Sequence, residues 1–316
     1  MMTVRETITS GIQSVAQLQA ALQTAIQLEF STIPPYLCAE WSINNDPSNV
    51  APMIHDIVIQ EMLHFAFSCN MLNAIGGSPS IANAAFVPNY PTLGLPGNVQ
   101  PGLVVDLLPL GPQALNTFME IEYPETGMVA PDPDSIGAFY DTISAAFTTL
   151  NPPISASATQ VVTNVGGDQL TAIKTVTDAV NAINLIKGQG EGASGTSPFE
   201  GPPDTTELAH YYAFAQIYFG NQLVQVGNQF QYTGPQIQMP TVFSFQTSTG
   251  QPSVQSQFSQ TFTSLLTQLE ACWTSGASIG TAIGTMFTLQ GLGQTLIQAG
   301  VRPPFLFVGA AAKASA

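Results

Sequence analysis

Apolar residues recur at three-to-four spacing through Val15, Leu18, Leu22, Ile26 and Phe30, which predicts a helix over residues 15–33 with one buried stripe. Pro34-Pro35 follows and predicts a kink or an end, with 36–43 resuming the helix. After a polar turn at 44–49, a second helix begins near Pro52. Its apolar run, 54–75, reads as buried and is closed by Gly76-Gly77. The pattern then breaks. Residues 78–112 are rich in Pro and Gly and predict an irregular excursion with one short strand at 103–108. Short helices are predicted at 112–123 and 135–150. An amphipathic helix at 168–187 carries Leu170, Ile173, Val176, Val180, Ile183 and Ile186 on one stripe. A loop at 194–203 leads into a helix over 205–226. Residues 232–255 are polar and Pro-rich around a β-like run at 241–245, and two last helices span 258–273 and 279–299.

These elements predict a mainly α chain built as a single domain, 1–316. A bundle core of about 12–77 and 168–226 is decorated by 78–167 and followed by C-terminal helices within 253–300. A loose duplication runs through it. A helix carrying a Glu near its end, then a helix with Glu-x-x-His, occurs twice.

That duplication carries the candidate chemistry. Glu61-Met62-Leu63-His64 lies inside the buried run, and Glu207-Leu208-Ala209-His210 repeats its form. Residues three apart on a helix share a face, so each pair sets a carboxylate and an imidazole on one core-facing stripe. Buried unpaired, those groups are costly. A metal ion removes the cost, and Glu-x-x-His is the ligand pair of carboxylate-bridged di-metal helical bundles. Such a centre needs one further carboxylate from each partner helix, and Glu29 and Glu191 are the candidates. Glu122 is an alternative to Glu191 or an additional ligand; Glu120 and Glu122 are about 200° apart if helical, so only one faces inward. Four carboxylates balance two divalent ions, and oxygen and nitrogen donors suit iron or manganese. The structural readings compete residue by residue. Glu207 stands at capping-box spacing from Asp204, His64 alone reads as a core histidine, and Glu191 sits between glycines as a loop acid would. Glu40 falls on the same side as Glu29 but about 16 Å along the axis, and His55 is about half a turn out of phase with His64, so both are expected elsewhere.

Composition narrows the function. Only 8% of residues are charged, and five basic residues face twenty acidic ones for a net charge of −15. That balance argues against nucleic acid or an anionic membrane as partner. Cys38, Cys69 and Cys272 have no paired spacing and are expected to be buried thiols. No basic-then-apolar leader and no run of about 18 apolar residues is present, so a cytoplasmic location is expected.

The motifs also carry a resemblance. Glu29-Phe30-Ser31-Thr32-Ile33-Pro34-Pro35-Tyr36-Leu37, the Glu61 pair with the stretch from Asn70 to Gly77, the stretch from Phe86 to Pro91, Gln189-Gly190-Glu191-Gly192 and the stretch from Glu207 to Tyr212 resemble a ferritin-like family. It is the family related to the iminophenylpyruvate dimer synthases of violacein- and rebeccamycin-type pathways. The resemblance implies a ferritin-like four-helix bundle with additional helices and long irregular loops. It implies Glu29, Glu61, His64, Glu191, Glu207 and His210 as metal-site positions. The expected function is a non-haem di-iron oxidoreductase, with two iron ions or manganese in their place. It acts on a small organic substrate with O2 or peroxide, and a homo-oligomer is compatible with it. The alternatives are a ferroxidase or metal-binding protein without organic substrate, and a metal-free structural bundle.

Overall fold

The computed structural model describes residues 3–124, 135–192, 197–201 and 206–309, and the side chain of Glu191 lies outside the described residues. Helix α1 (Val4–Ser10) opens on a reciprocal cap between Thr3 and Glu6. Helix α2 (Val15–Trp41) starts where the Ser14 side chain accepts from the Gln17 N–H. It does not stop at Pro34-Pro35. Those prolines remove the N–H donors that would reach the Phe30 and Ser31 carbonyls. The Tyr90 hydroxyl donates to the Ser31 carbonyl at 2.7 Å in their place, so one continuous helix survives where a break is expected.

Strand β1 (Ile43–Asn45) precedes α3 (Val50–Ala74). The first N–H groups of α3, on Val50 and Ala51, donate to the Asp46 carboxylate at 2.8 and 2.7 Å. Gly76, at φ 78°, closes α3, and the Gly77 N–H donates to the Leu72 carbonyl at 2.9 Å. The excursion that follows holds an antiparallel hairpin, β2 (Thr92–Leu95) with β3 (Val99–Val105), so the strand lies earlier than 103–108. Helices α4 (Pro112–Ile121) and α5 (Ile136–Leu150) come next.

Two expectations from periodicity are corrected downstream. The apolar stripe beginning at Leu170 is not helical at its start. Residues there form a hairpin, β4 (Thr163–Val165) with β5 (Asp168–Leu170), turned by Gly166-Gly167. Helix α6 (Val176–Glu191) begins only at the Thr175–Asp178 capping box. It runs through Gly188 and Gly190 and is closed by Gly192. Helix α7 (His210–Phe219) is shorter than the 205–226 expected. Gly220, at φ 73°, ends it, and the chain enters a hairpin, β6 (Asn221–Val226) with β7 (Gln229–Gln236), across the Gly227-Asn228 turn. Strand β8 (Thr241–Val242) pairs with β1. The last elements are α8 (Pro252–Thr274) and α9 (Ile279–Gln298).

The architecture is mainly helical, with short two-stranded pairings at its margins. The α2–α3 pair makes the most extensive helix packing. Helices α4 and α7 pack together, as do α5 and α6; α6 also meets α7, and each of these helices packs on α2 or α3 around a common interior. The α8–α9 hairpin covers the opposite face of α2. Gly293 makes that approach close, because a Cβ there would fall 2.3 Å from Trp41 Cζ3. All three cysteines are buried and free. Among the described residues no helix is long and apolar enough to cross a membrane.

Candidate metal centre

The interior between α2, α3, α4 and α7 holds two triads of potential ligand atoms, Glu29–Glu61–His64 and Glu61–Glu122–His210. Glu61 belongs to both. All five side chains are buried, and the His64 and His210 rings lie near parallel with centroids 5.6 Å apart. His64 Nδ1 is 3.5 Å from Glu29 Oε2 and 3.9 Å from Glu61 Oε1. His210 Nδ1 is 2.9 Å from Glu61 Oε1 and 3.5 Å from Glu122 Oε2.

Of the residues singled out from the sequence, Glu29, Glu61, His64, His210 and Glu122 therefore come together. Glu207 does not join them: it is exposed. The physical reason is that α7 begins only at His210. Residues 207–209 instead run extended, with Phe199 and Leu208 bridged and the Glu200 N–H donating to the Glu207 carbonyl at 2.9 Å. Three residues along an extended chain do not share a face, so the i,i+3 argument fails for this pair. The cap reading of Glu207 rests on Asp204, which lies outside the described residues. Glu191 is the last residue of α6 and its side chain lies outside the described residues; the preceding turn passes the centre, with the Cβ position of Gly190 3.7 Å from Glu122 Oε2. Glu40 and His55 pair with each other, Oε1 to Nδ1 at 3.1 Å, apart from the triads.

The surroundings follow a pseudo-twofold plan. His64 Nε2 meets Gln189 Oε1 at 2.8 Å, and the amide nitrogen of Gln189 donates to Asp168 at 2.8 Å. His210 Nε2 meets Gln60 Oε1 at 2.9 Å, and the amide nitrogen of Gln60 donates to Glu200 at 2.9 Å. The Tyr140 hydroxyl donates to Glu29, and the Tyr36 hydroxyl donates to Glu122 at 2.6 Å. Thr32 donates to Glu61 Oε2 at 2.7 Å.

This plan fixes the imidazole tautomers. Each glutamine spends its NH2 on a carboxylate, so its oxygen faces the histidine and accepts. Nε2 must then carry the proton, and in the neutral ring Nδ1 presents a lone pair to the carboxylates. Lone pairs converging on carboxylate oxygens repel unless a cation stands between them. His210 Nδ1 is fully buried and meets no acceptor in hydrogen-bonding geometry despite the nearby oxygens, which is how co-ligands of one ion stand relative to each other. The donor set of carboxylate oxygens and imidazole nitrogens fits iron or manganese, and a second partner on the far nitrogen is the usual support of a metal-binding imidazole.

Without a cation, protons fill the role. Burial lowers the basicity of His210, but Glu122 and Glu61 outweigh it and raise its pKa to about 10. Burial likewise lowers His64, and Glu29 more than reverses it. Burial and the charge of Glu122 push Glu61 up to about 7 against the pull of His210. Tyr36 and Tyr140 are driven far up, first by burial and then by their carboxylate neighbours, and stay neutral hydrogen-bond donors.

Sequence reasoning missed Tyr36, Tyr140, Gln60, Gln189, Asp168 and Glu200. Tyr36 carried a signal, since it stands seven residues, two helical turns, beyond Glu29. Gln60 and Gln189 approach the histidines from separate helices, and no local spacing announces them.

Comparison with known proteins agrees with this geometry. No curated protein matches the chain. A solved structure of a ferritin-like protein from Caulobacter vibrioides matches with a TM-score of 0.70 and 25% identity, over 93% of this chain and 99% of that one. The family model described as ferritin-like matches residues 22–219, a span that begins in α2 and ends in α7 and so holds all five clustered side chains. The chain belongs to the ferritin-like family.

Proposed function

We propose that this protein is a di-metal oxidoreductase that acts on a small organic molecule with O2 or peroxide. Glu29 and His64 would hold one ion and Glu122 and His210 the other, with Glu61, common to both triads, available to either. Three carboxylates supply a charge of −3 against +4 for two divalent ions. A fourth carboxylate would close this balance, and Glu191, the last residue of α6, is proposed for that place. Two iron ions, if held by these residues, would supply redox chemistry toward O2 or peroxide. The chain's own groups do the rest. Gln60 and Gln189 hold the imidazoles with Nδ1 inward, Tyr36 and Tyr140 hold the outer carboxylates, and the buried walls exclude bulk water. The resemblance of the Glu29–Leu37 and Gln189–Gly192 stretches to the relatives of iminophenylpyruvate dimer synthases supports an organic substrate.

The observation that carries the reading is the shared Glu61 between two inward-facing imidazoles whose tautomers are fixed from outside. A second reading, a ferroxidase without organic substrate, has one observation in its favour. The space at the centre measures only about 30 Å³, far below the ~300 Å³ at which small-molecule sites begin. It is lined on its outer side by Ile136, Gly137, Lys187 and Gly190.

The test is metal content and turnover on protein reconstituted anaerobically with Fe(II) or Mn(II). The proposal expects two ions per chain, and O2 consumption that is slow alone and accelerated by a substrate drawn from a panel of small aromatic amines and imines. Rapid repeated oxidation of Fe(II), unchanged by any member of the panel, would establish the ferroxidase instead. Absence of bound metal after reconstitution overturns both.

A further inference from the structure

On the side of α2 away from the triads lies a second, larger cavity of about 310 Å³, within the range of sites that take small molecules. Helices α2 and α3, the β4–β5 hairpin and the α8–α9 hairpin enclose it. Its walls are apolar, with Phe30, Leu37, Met62, Phe65, Leu265 and Met286 among them. The two sites share no residue: Glu29 and Thr32 line the small space at the centre, whereas Phe30, Ile33, Pro34 and Leu37 line this cavity. Ile283 and Phe287, 39% and 70% exposed, stand at its rim on α9.

Polar residues interrupt the lining, among them Thr163, Asn164 and Gln290, and at Glu40 and Trp41 the hydrogen bonding is incomplete. Glu40 Oε1 pairs with His55 Nδ1 at 3.1 Å. Glu40 Oε2 and Trp41 Nε1 are buried and have no hydrogen-bond partner among the described residues. Buried polar atoms almost always have a partner, and an unpaired one is costly. Glu40 and Trp41 are neighbours on α2 and both line the cavity, so a turn of either side chain toward a molecule within it would satisfy these atoms. One atom accepts and the other donates. An ammonium group would answer only the carboxylate, because it has no lone pair. A carboxylate ligand would answer only the indole and would meet the charge of Glu40. A hydroxyl both donates and accepts.

We propose that this cavity is a binding site, separate from the metal centre, for an uncharged apolar molecule carrying a hydroxyl group, such as an aliphatic alcohol. Its apolar part occupies the space between the Phe30, Met62 and Leu265 walls. Its hydroxyl complements Glu40 Oε2 and Trp41 Nε1–H.

The sequence has two tryptophans, Trp41 and Trp273, and both line the cavity, so intrinsic fluorescence reads its occupancy directly. Full-length protein stripped of metal with EDTA is titrated with 1-octanol, octanoate and octylammonium. Metal-free protein keeps the outcome independent of the di-metal reading. The expected result is a saturable change in emission with octanol, and binding at least ten-fold weaker for both charged probes. Ala66→Phe, which adds a ring at a lining position, abolishes octanol binding. Glu40→Gln keeps the side-chain shape and removes the charge, so octanoate gains at least ten-fold while octanol changes little. That gain decides the matter if Ala66→Phe does not fold. No saturable response to octanol, octanoate binding as tightly as octanol in the unaltered protein, or no gain for octanoate in Glu40→Gln would each overturn the proposal.

Discussion

Replacing Glu61 with Gln should change stability in opposite directions with and without metal. Glu61 is 2% exposed and shares its space with Glu29 and Glu122. In metal-free protein its negative form is a buried charge among like charges, a burden of several kcal/mol. A glutamine there turns its oxygen toward the protonated His210 Nδ1, across the 2.9 Å that now separates the groups, and its NH2 toward the Thr32 hydroxyl, which can accept while donating to the Glu29 carbonyl. Removal of such a charge with its neighbours left satisfied stabilises by about 1–4 kcal/mol. At ~2.1 cal/mol/K of unfolding entropy per residue, a chain of 316 residues moves by about 1.5 °C per kcal/mol. The metal-free variant should therefore melt about 2–6 °C higher than the unaltered protein. With metal the sign reverses. An ion held at 1,000 times its Kd stabilises by about 4 kcal/mol, so losing one costs about 6 °C, and the shared carboxylate is the ligand both ions lose. Calorimetry in EDTA and in saturating Mn(II), with metal content measured on the same samples, tests both halves. A variant that keeps two ions per chain, or that shifts in the same direction in both buffers, refutes the role given to Glu61.

Gln189→Leu and Gln60→Leu each remove the acceptor that fixes one imidazole, and each should weaken metal affinity 10–100-fold, read by competition with a chelator; affinity within two-fold of the unaltered protein would count against tautomer control. Glu207→Ala alters an exposed side chain outside the two triads and should leave metal content intact; loss of an ion would return Glu207 to the ligand set. The raised pKa values of Glu61, to about 7, and His210, to about 10, make the metal-free fold pH-dependent. Raised groups stabilise the fold while protonated, fully so below their unfolded values of about 4.3 and 6.5. That contribution is lost as pH climbs through about 7 and then about 10. Melting temperature in EDTA should accordingly fall from pH 5 to pH 10, whereas metal-loaded protein, in which cations replace those protons, should hold or gain; a flat metal-free profile would contradict the electrostatics.

Much of the helical frame was legible in the chain because buried helices leave a strong periodic trace. The α2 and α3 stripes, the Gly76-Gly77 stop and the isolation of two histidines in repeated motifs needed no coordinates. The errors arose where a local pattern met a tertiary competitor. Leu170 and Ile173 continue the α6 stripe in spacing, yet the Gly166-Gly167 turn folds that stretch into a hairpin that buries the same residues. Pro34-Pro35 breaks an isolated helix, but Tyr90, more than fifty residues away in sequence, takes one freed carbonyl. Glu207 has the spacing of Glu61 without the conformation, because Phe199 holds Leu208 extended. Glu122, carried only as an alternative, sits at the end of α4 in the turn that brings it onto His210. The bracing of the histidines was invisible for a simpler reason: each glutamine works on an imidazole from another helix.

That crossed bracing couples the two halves. Gln60 is the neighbour of Glu61 on α3 yet steadies the imidazole of α7, while Gln189 of α6 steadies the imidazole of α3. An ion arriving at either position steadies residues on a helix that also shapes the other position, so occupancy should rise in pairs, with singly filled molecules scarce. A graft that moved one Glu-x-x-His segment to another scaffold would leave its stabilising amide behind.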